Sequence, residues 1–148
     1  MLSAMVKKDL DKLRELVSES VRRSITDSEE EAAFLIEDIV RSLDGWSKSG
    51  SVGFHRKYSV AGKIVGFIVV KDYWNLSHLF VSPEYQGRGI GRLLIEAAVE
   101  GCRNESPRQK IQLNSSSNAA GFYDAMGFRR TGQAEDRPGG CIPFEYNF

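Results

Sequence analysis

Net charge is what this sequence lacks most plainly, since twenty lysines and arginines are balanced by twenty aspartates and glutamates. No global field draws the chain to nucleic acid or to an anionic membrane, and any anion site must be local. Long apolar runs are missing too. None approaches the roughly 18 residues that a bilayer span needs, and the N-terminus MLSAMVKKDL has no apolar signal-peptide core, so a cytoplasmic protein is expected. There are only two cysteines, Cys102 and Cys141, in separate segments. With no CxxC spacing they support neither a metal site nor a disulfide framework, and buried, reduced thiols are expected. Two histidines far apart, His55 and His78, give zinc little to build on. What the chain does have is 41% apolar residues over a length of 148, which fits one domain spanning residues 1–148.

Periodicity divides the chain into helices and strands. Leu10, Leu13, Val17 and Val21 predict a helix over 7–24, and a capping-box pattern at Thr26-Asp27-Ser28-Glu29 opens a second one that closes near Asp44. After a Ser/Gly/Lys linker, alternation over 52–60, a turn at Ala61-Gly62-Lys63 and a β-branched run over 64–71 read as an antiparallel hairpin. Asn75 to Val81 reads as a third strand, and residues 89 to about 102 as a helix. Then come a short strand over 111–114, a short helix over 118–126, a strand from Gly127-Phe128, and a last strand over 141–148 beyond the loop Arg137-Pro138-Gly139-Gly140. The expected architecture is α/β: a mixed, mostly antiparallel central sheet flanked by helices.

The stretch FVSPEYQGRGIGRLL places three glycines at alternate positions where a strand meets a helix. A helix N-terminus offers unpaired N–H groups and positive potential, and glycine lets an anion approach them while Arg88 and Arg92 add charge from the flanks. The same glycines can also serve only a tight turn and close packing. A dinucleotide fingerprint would need glycine where Arg92 stands, and no GK[ST] follows, so neither hydride transfer nor P-loop chemistry is indicated.

Gln86-Gly87-Arg88-Gly89-Ile90-Gly91 resembles the [Q/R]-x-x-G-x-[G/A] signature of the GNAT superfamily of acetyl-CoA-dependent N-acetyltransferases. Downstream, Ala119 to Phe128, AAGFYDAMGF, is similar to that superfamily's second region. The resemblance covers nearly the whole chain and implies an N-acetyltransferase fold and acetyl-CoA as co-substrate. It usually includes a strand before the first helix, which only Met1 to Val6 could supply here, and the expectation is that this strand is missing or vestigial.

The resemblance also implies roles. Backbone groups around Phe80 and Val81 would pair with the pantetheine arm. Gln86, Gly87, Arg88, Gly89, Ile90, Gly91 and Arg92 would hold the pyrophosphate, and Asn114, Ser116 and Asn118 lie in the region that touches the cofactor. Asn118 is equally well read as a helix N-cap. Tyr123 aligns with the tyrosine that serves as acid to the leaving thiolate; its plainer reading is an aromatic packed beside Phe122. The position that carries a glutamate base in some members is Asn75 here, and an amide cannot accept a proton usefully. Asp72 reads as a turn residue, His78 as a satisfied sheet histidine facing away from Asn75, and Glu84 as a loop charge, so no base is assigned. Trp46, Phe54, Tyr58, Tyr73 and Trp74 read as core more readily than as acceptor pocket.

The expected activity is acetyl transfer to a primary amine, with small-molecule and peptide acceptors and a homodimer left open, and no nucleic acid or membrane partner. The alternative is a non-catalytic acyl-CoA-binding sensor or interaction module.

Overall fold

Apolar residues at intervals of three and four make Leu10–Ser20 a helix, α1, with Leu13, Leu16 and Val17 buried. The computed structural model describes residues 1–49, 52–137 and 139–148. A 3-10 turn over Lys7–Asp9 precedes α1. A widened, π-type turn over Val21–Ile25 follows it, where the periodicity predicts continued α-helix.

The second helix, α2, runs over Glu29–Ser49. Its N-cap is Ser28, whose Oγ accepts the Glu31 N–H at 3.2 Å. Thr26 stands two residues outside, accepting from the Ser28 N–H and donating to Glu31 at 2.7 Å. Removing the cap in Ser28→Ala should cost about 1 kcal/mol in urea denaturation. An unchanged midpoint would show that Thr26 caps the helix alone. α2 passes the expected stop at Asp44 because Leu43 and Trp46 are both buried, which outweighs the roughly 1 kcal/mol cost of Gly45 within a helix. Gly50 and Ser51 of the expected linker lie outside the described residues.

The strands are β1 (Leu2–Ala4), β2 (Gly53–Val60), β3 (Lys63–Lys71), β4 (Asn75–Val81), β5 (Lys110–Ser115), β6 (Arg129–Arg130) and β7 (Ile142–Asn147). They form one mixed sheet in the order β1-β2-β3-β4-β5-β7-β6. Of the two alternatives, missing or vestigial, the first strand is vestigial: Met1 to Val6 supplies the three-residue β1, which pairs antiparallel with β2, Leu2 opposite Tyr58 and Ala4 opposite Arg56. Three residues are too few to show alternation, so only the pairing reveals it. Helices α3 (Ile90–Cys102) and α4 (Ala120–Ala125) cover one face over a core that includes Ile68, Val70, Leu94, Ile111 and Phe144. On the other face, α1 and α2 pack over Leu13, Val17, Leu43, Phe67 and Val69.

Two irregularities shape the middle of the sheet. β4 and β5 run parallel and pair only at Asn75 and Gln112, so beyond that point the strands carry no common ladder. In β4 a bulge lies at Ser77, because Val70 pairs with Leu76 and Val69 with His78. Leu76 therefore packs with the α3 cluster, whereas His78 lies beside the stacked Phe67 and Phe80 rings and points its Nε2 at the Ile39 carbonyl of α2. The reading that strict alternation turns His78 away from Asn75 is corrected: Asn75 stands opposite Lys71, whose ammonium donates to Ser42 of α2, so both share the α2 face.

His78 is nonetheless a satisfied sheet histidine. Its Nε2–H donates to Ile39 at 3.4 Å and its Nδ1 accepts from Ser77 at 2.7 Å, and burial lowers its pKa from 6.5 to about 4. The unfolded chain takes up this proton first, so stability is full above about pH 6.5, falls as pH drops below that, and the loss is complete near 4. The stability lost in this way is about 3 kcal/mol. Urea midpoints of His78→Gln should decline less steeply than wild type between pH 7 and 4.5; parallel declines would assign the acid sensitivity to other groups. His55, also shifted down by burial, adds to the same trend in both proteins.

Candidate active site

Where β4 and β5 part, a cleft of about 510 Å³ opens between β4, the start of α3, and α4. Gly87 and Gly89 both adopt left-handed backbone, with φ of 77° and 82°, and a Cβ at either would point into open space. Gly91 is different, since its Cβ would touch the Phe122 ring at 3.4 Å and serves close packing. Among the described residues none of the backbone N–H groups from Gly87 to Arg92 has a protein acceptor; the first bond of α3 is from Leu93 to the Gly89 carbonyl. Six consecutive donors at the positive end of a 13-residue helix make an anion cradle. Arg92 lines the cleft, and neither it nor Arg88 is in an ion pair among the described residues, although most other arginines are.

Of the residues singled out in the sequence, Val81, Gln86, Gly87, Gly89, Ile90, Gly91, Arg92, Asn118 and Tyr123 line this cleft. Phe80 does not. Its ring stacks on Phe67 at 5.6 Å on the α2 side, and since the Ser82 N–H donates to Val65 of β3, alternation directs the Phe80 backbone to β3 as well. Leu79 and Val81 are the residues whose backbone turns to the open edge, and the Gln86 side-chain amide already donates to the Val81 carbonyl at 3.2 Å. Arg88 sits outside, its guanidinium 4.9 Å from the centre of the Tyr85 ring, which does line the cleft. Asn114 is exposed on β5 opposite Pro143. Ser116 reaches the site through Asn118, donating to its Oδ1 at 2.6 Å.

Asn118 is not the N-cap of α4. That helix starts at Ala120 after a 3-10 turn, and the Asn118 amide donates to the Ser24 carbonyl. Ser24 was not legible as a site residue, because only the widened turn after α1 brings it to the cleft. Of the five aromatics weighed for an acceptor pocket, none lines the cleft. Trp46 and Phe54 are core, Tyr58 and Tyr73 pack against the core, and Trp74 lies under the Arg108 guanidinium at 3.4 Å. Pro138 lies outside the described residues; Gly139 of the same loop accepts the Ser117 N–H.

Tyr123 is held edge-on between Phe122 and Phe128, at 5.2 and 5.6 Å, and is only 6% exposed. Among the described residues its hydroxyl has no hydrogen-bond partner. Burial pushes the phenol above its usual range, so it stays protonated at any physiological pH. Cys102 is likewise buried, its thiol pushed up to about 12, which leaves it unreactive.

The family described as "Acetyltransferase (GNAT) domain" matches residues 24–144, which takes in both the glycine loop and the tyrosine region. This chain belongs to the GNAT family. Among curated GNAT relatives, the peptidyl-lysine N-acetyltransferase YjaB of Salmonella typhimurium is 35% identical over 72 residues, 48% of this chain and 46% of that protein. The glucosamine 6-phosphate N-acetyltransferase of Trypanosoma brucei brucei is 32% identical over 81 residues, 55% of this chain and 49% of that protein. The match thus spans about half the length of these relatives. The GNAT fold is shared along the whole chain with PaiA N-acetyltransferase from Thermoplasma acidophilum, solved in complex with coenzyme A (TM-score 0.80, 23% identity, 100% of this chain and 98% of that one). Apo YjaB from Escherichia coli shares it too (TM-score 0.72, 24% identity, 99% and 96%). No helix among the described residues is long and apolar enough to cross a membrane.

Proposed function

We propose that this chain is a cytoplasmic, single-domain N-acetyltransferase that moves an acetyl group from acetyl-CoA to a primary amine by direct attack in a ternary complex. The observation that carries the reading is the run of N–H groups from Gly87 to Arg92, unpaired among the described residues, with Tyr123 lining the same cleft between parted strands. The cradle has the donors, the local cations and the open space that a pyrophosphate requires. The solved coenzyme A complex of PaiA on the same fold supports the same ligand here.

In this reading Gly87 to Arg92 bind the pyrophosphate, and Leu79 and Val81 offer strand-edge groups to the pantetheine amides, the Gln86 amide giving up the Val81 carbonyl. The Leu79 N–H, turned to the open edge, stabilises the oxyanion that forms as the amine nitrogen attacks the thioester carbonyl. Tyr123 then hands a proton to the departing sulfur as the C–S bond breaks, the amine's surplus proton leaves to water, and the phenoxide regains a proton from water.

Incubation with acetyl-CoA and a panel of small amines, amino sugars and peptides tests the proposal by matching free thiol released to acetylated product formed. Equal amounts with at least one acceptor are expected. Binding of acetyl-CoA without turnover across the panel would instead favour a non-catalytic acyl-CoA sensor.

A further inference from the structure

Among the described residues the cleft contains amide, hydroxyl, aromatic and aliphatic groups and one guanidinium, but no carboxylate and no imidazole. Its titratable lining is Arg92, Tyr85 and Tyr123, none of which takes a proton from an amine near neutral pH. The surrounding elements do not supply the missing base: on the two helices of the cleft, Asp124 of α4 and Glu96 of α3 are exposed and do not line it. On β4, His78 is 2% exposed with both ring nitrogens engaged, by Ser77 and Ile39. At the β3–β4 turn, Asp72 occupies a left-handed position (φ 53°) and does not line the cleft. Beside the glycine loop, Glu84 faces Arg23 at 3.9 Å.

Across the sheet a polar row stands in register: Lys71, Asn75, Gln112, Glu145, Arg129. Its one carboxylate, Glu145, is two strands from Asn75 and accepts from Arg129 at 2.6 Å, from Asn147 at 3.3 Å and from Lys110 at 3.3 Å. These bonds, that from Arg129 first, hold it below the usual carboxylate range, where it is a poor base. The residues outside the described set, Gly50, Ser51 and Pro138, carry no base either.

Two consequences point the same way. An ammonium entering this cleft finds no carboxylate and pays the cost of burying an unpaired charge. An amine that must lose its proton to water before attack reacts in proportion to its neutral fraction. From this we infer that the acceptor is a weakly basic amine that enters already neutral, an α-amino group at a peptide N-terminus in preference to a lysine ε-amino group. The inference rests on the acetyltransferase reading above. At pH 7.5 the neutral fraction of an α-amine, pKa about 7.8, exceeds that of an ε-amine, pKa about 10.4, roughly 260-fold. A Brønsted slope of about 0.5, of the kind that governs thiolate attack, takes back about 20-fold through the stronger nucleophile and leaves on the order of 10-fold.

The test uses the whole chain, acetyl-CoA and two tripeptide amides: one with a free N-terminus and no lysine, the other Nα-blocked with a single lysine. kcat/KM is measured for each from pH 6.5 to 10. The expected result is a profile that rises with unit slope to each acceptor's own pKa, with the α-amine about 10-fold faster at pH 7.5. A break below pH 8 shared by both acceptors would reveal an enzyme base and overturn the inference while leaving the acetyltransferase reading intact, as would an ε-amine that matches or outruns the α-amine. Acetyl-CoA binding with neither peptide acetylated, nor any amine of the wider panel, would overturn both readings together.

Discussion

Gly89→Glu is expected to weaken acetyl-CoA binding at least 100-fold while the protein stays folded. Position 89 is the N-cap of α3, in left-handed backbone, and a Cβ there meets no protein atom within 4 Å. The substitution therefore costs on the order of 1 kcal/mol in backbone strain without disturbing the core. What it adds is a carboxylate among the N–H groups of the cradle. One unit charge at about 4 Å from another, at an effective dielectric constant near 20, is worth about 4 kcal/mol, more than the roughly 3 kcal/mol that 100-fold requires. Gly89→Asn separates the two effects, because asparagine tolerates the left-handed region and carries no charge. Calorimetric titration should place it between wild type and the glutamate variant. Equal affinity in all three would return the glycines to a turn that serves packing alone.

Tyr123→Phe should lower kcat about 100-fold and leave acetyl-CoA affinity unchanged, the lower end of what a positioned proton donor contributes. Its hydroxyl has no protein partner among the described residues, so its removal breaks no bond of the fold, and the ring contacts with Phe122, Phe128 and Phe144 persist. Thermal stability should shift by no more than about 0.5 kcal/mol. Because burial raises the phenol's pKa, wild-type activity should show no alkaline loss from Tyr123 deprotonation up to pH 10. A variant as active as wild type would make Tyr123 a core aromatic and no more.

The glycine loop, the hairpin, α3 and the tyrosine helix were legible because each depends on local chemistry: left-handed turns for Gly87 and Gly89, a 3.6-residue stripe through Leu94 and Ala98, an aromatic pair at Phe122 and Tyr123. What escaped the sequence depends on pairing or on irregular backbone. β1 is visible only through its partner β2. The bulge at Ser77 puts Leu76 and His78 on opposite faces despite their even spacing, so period-two reasoning assigned His78 to the wrong side. Parity also decides between Phe80 and Leu79, since only the bond from Ser82 to Val65 shows which backbone groups turn to the cleft. Ser24 comes to the cleft through a π-type turn within what reads as uninterrupted helix. The cradle was legible and the walls around it were not, because the walls are assembled from segments distant in sequence.

The most direct measurement is a titration of 15N-labelled protein with acetyl-CoA, followed through its backbone amide resonances. The amides of Gly87 to Arg92, unpaired before binding among the described residues, should move downfield together as they gain an acceptor, and saturate at a Kd between about 1 µM and 1 mM, the range usual for enzyme substrates. Saturation with shifts elsewhere and none in this loop would contradict the cradle, and no shifts at any concentration would contradict the ligand itself.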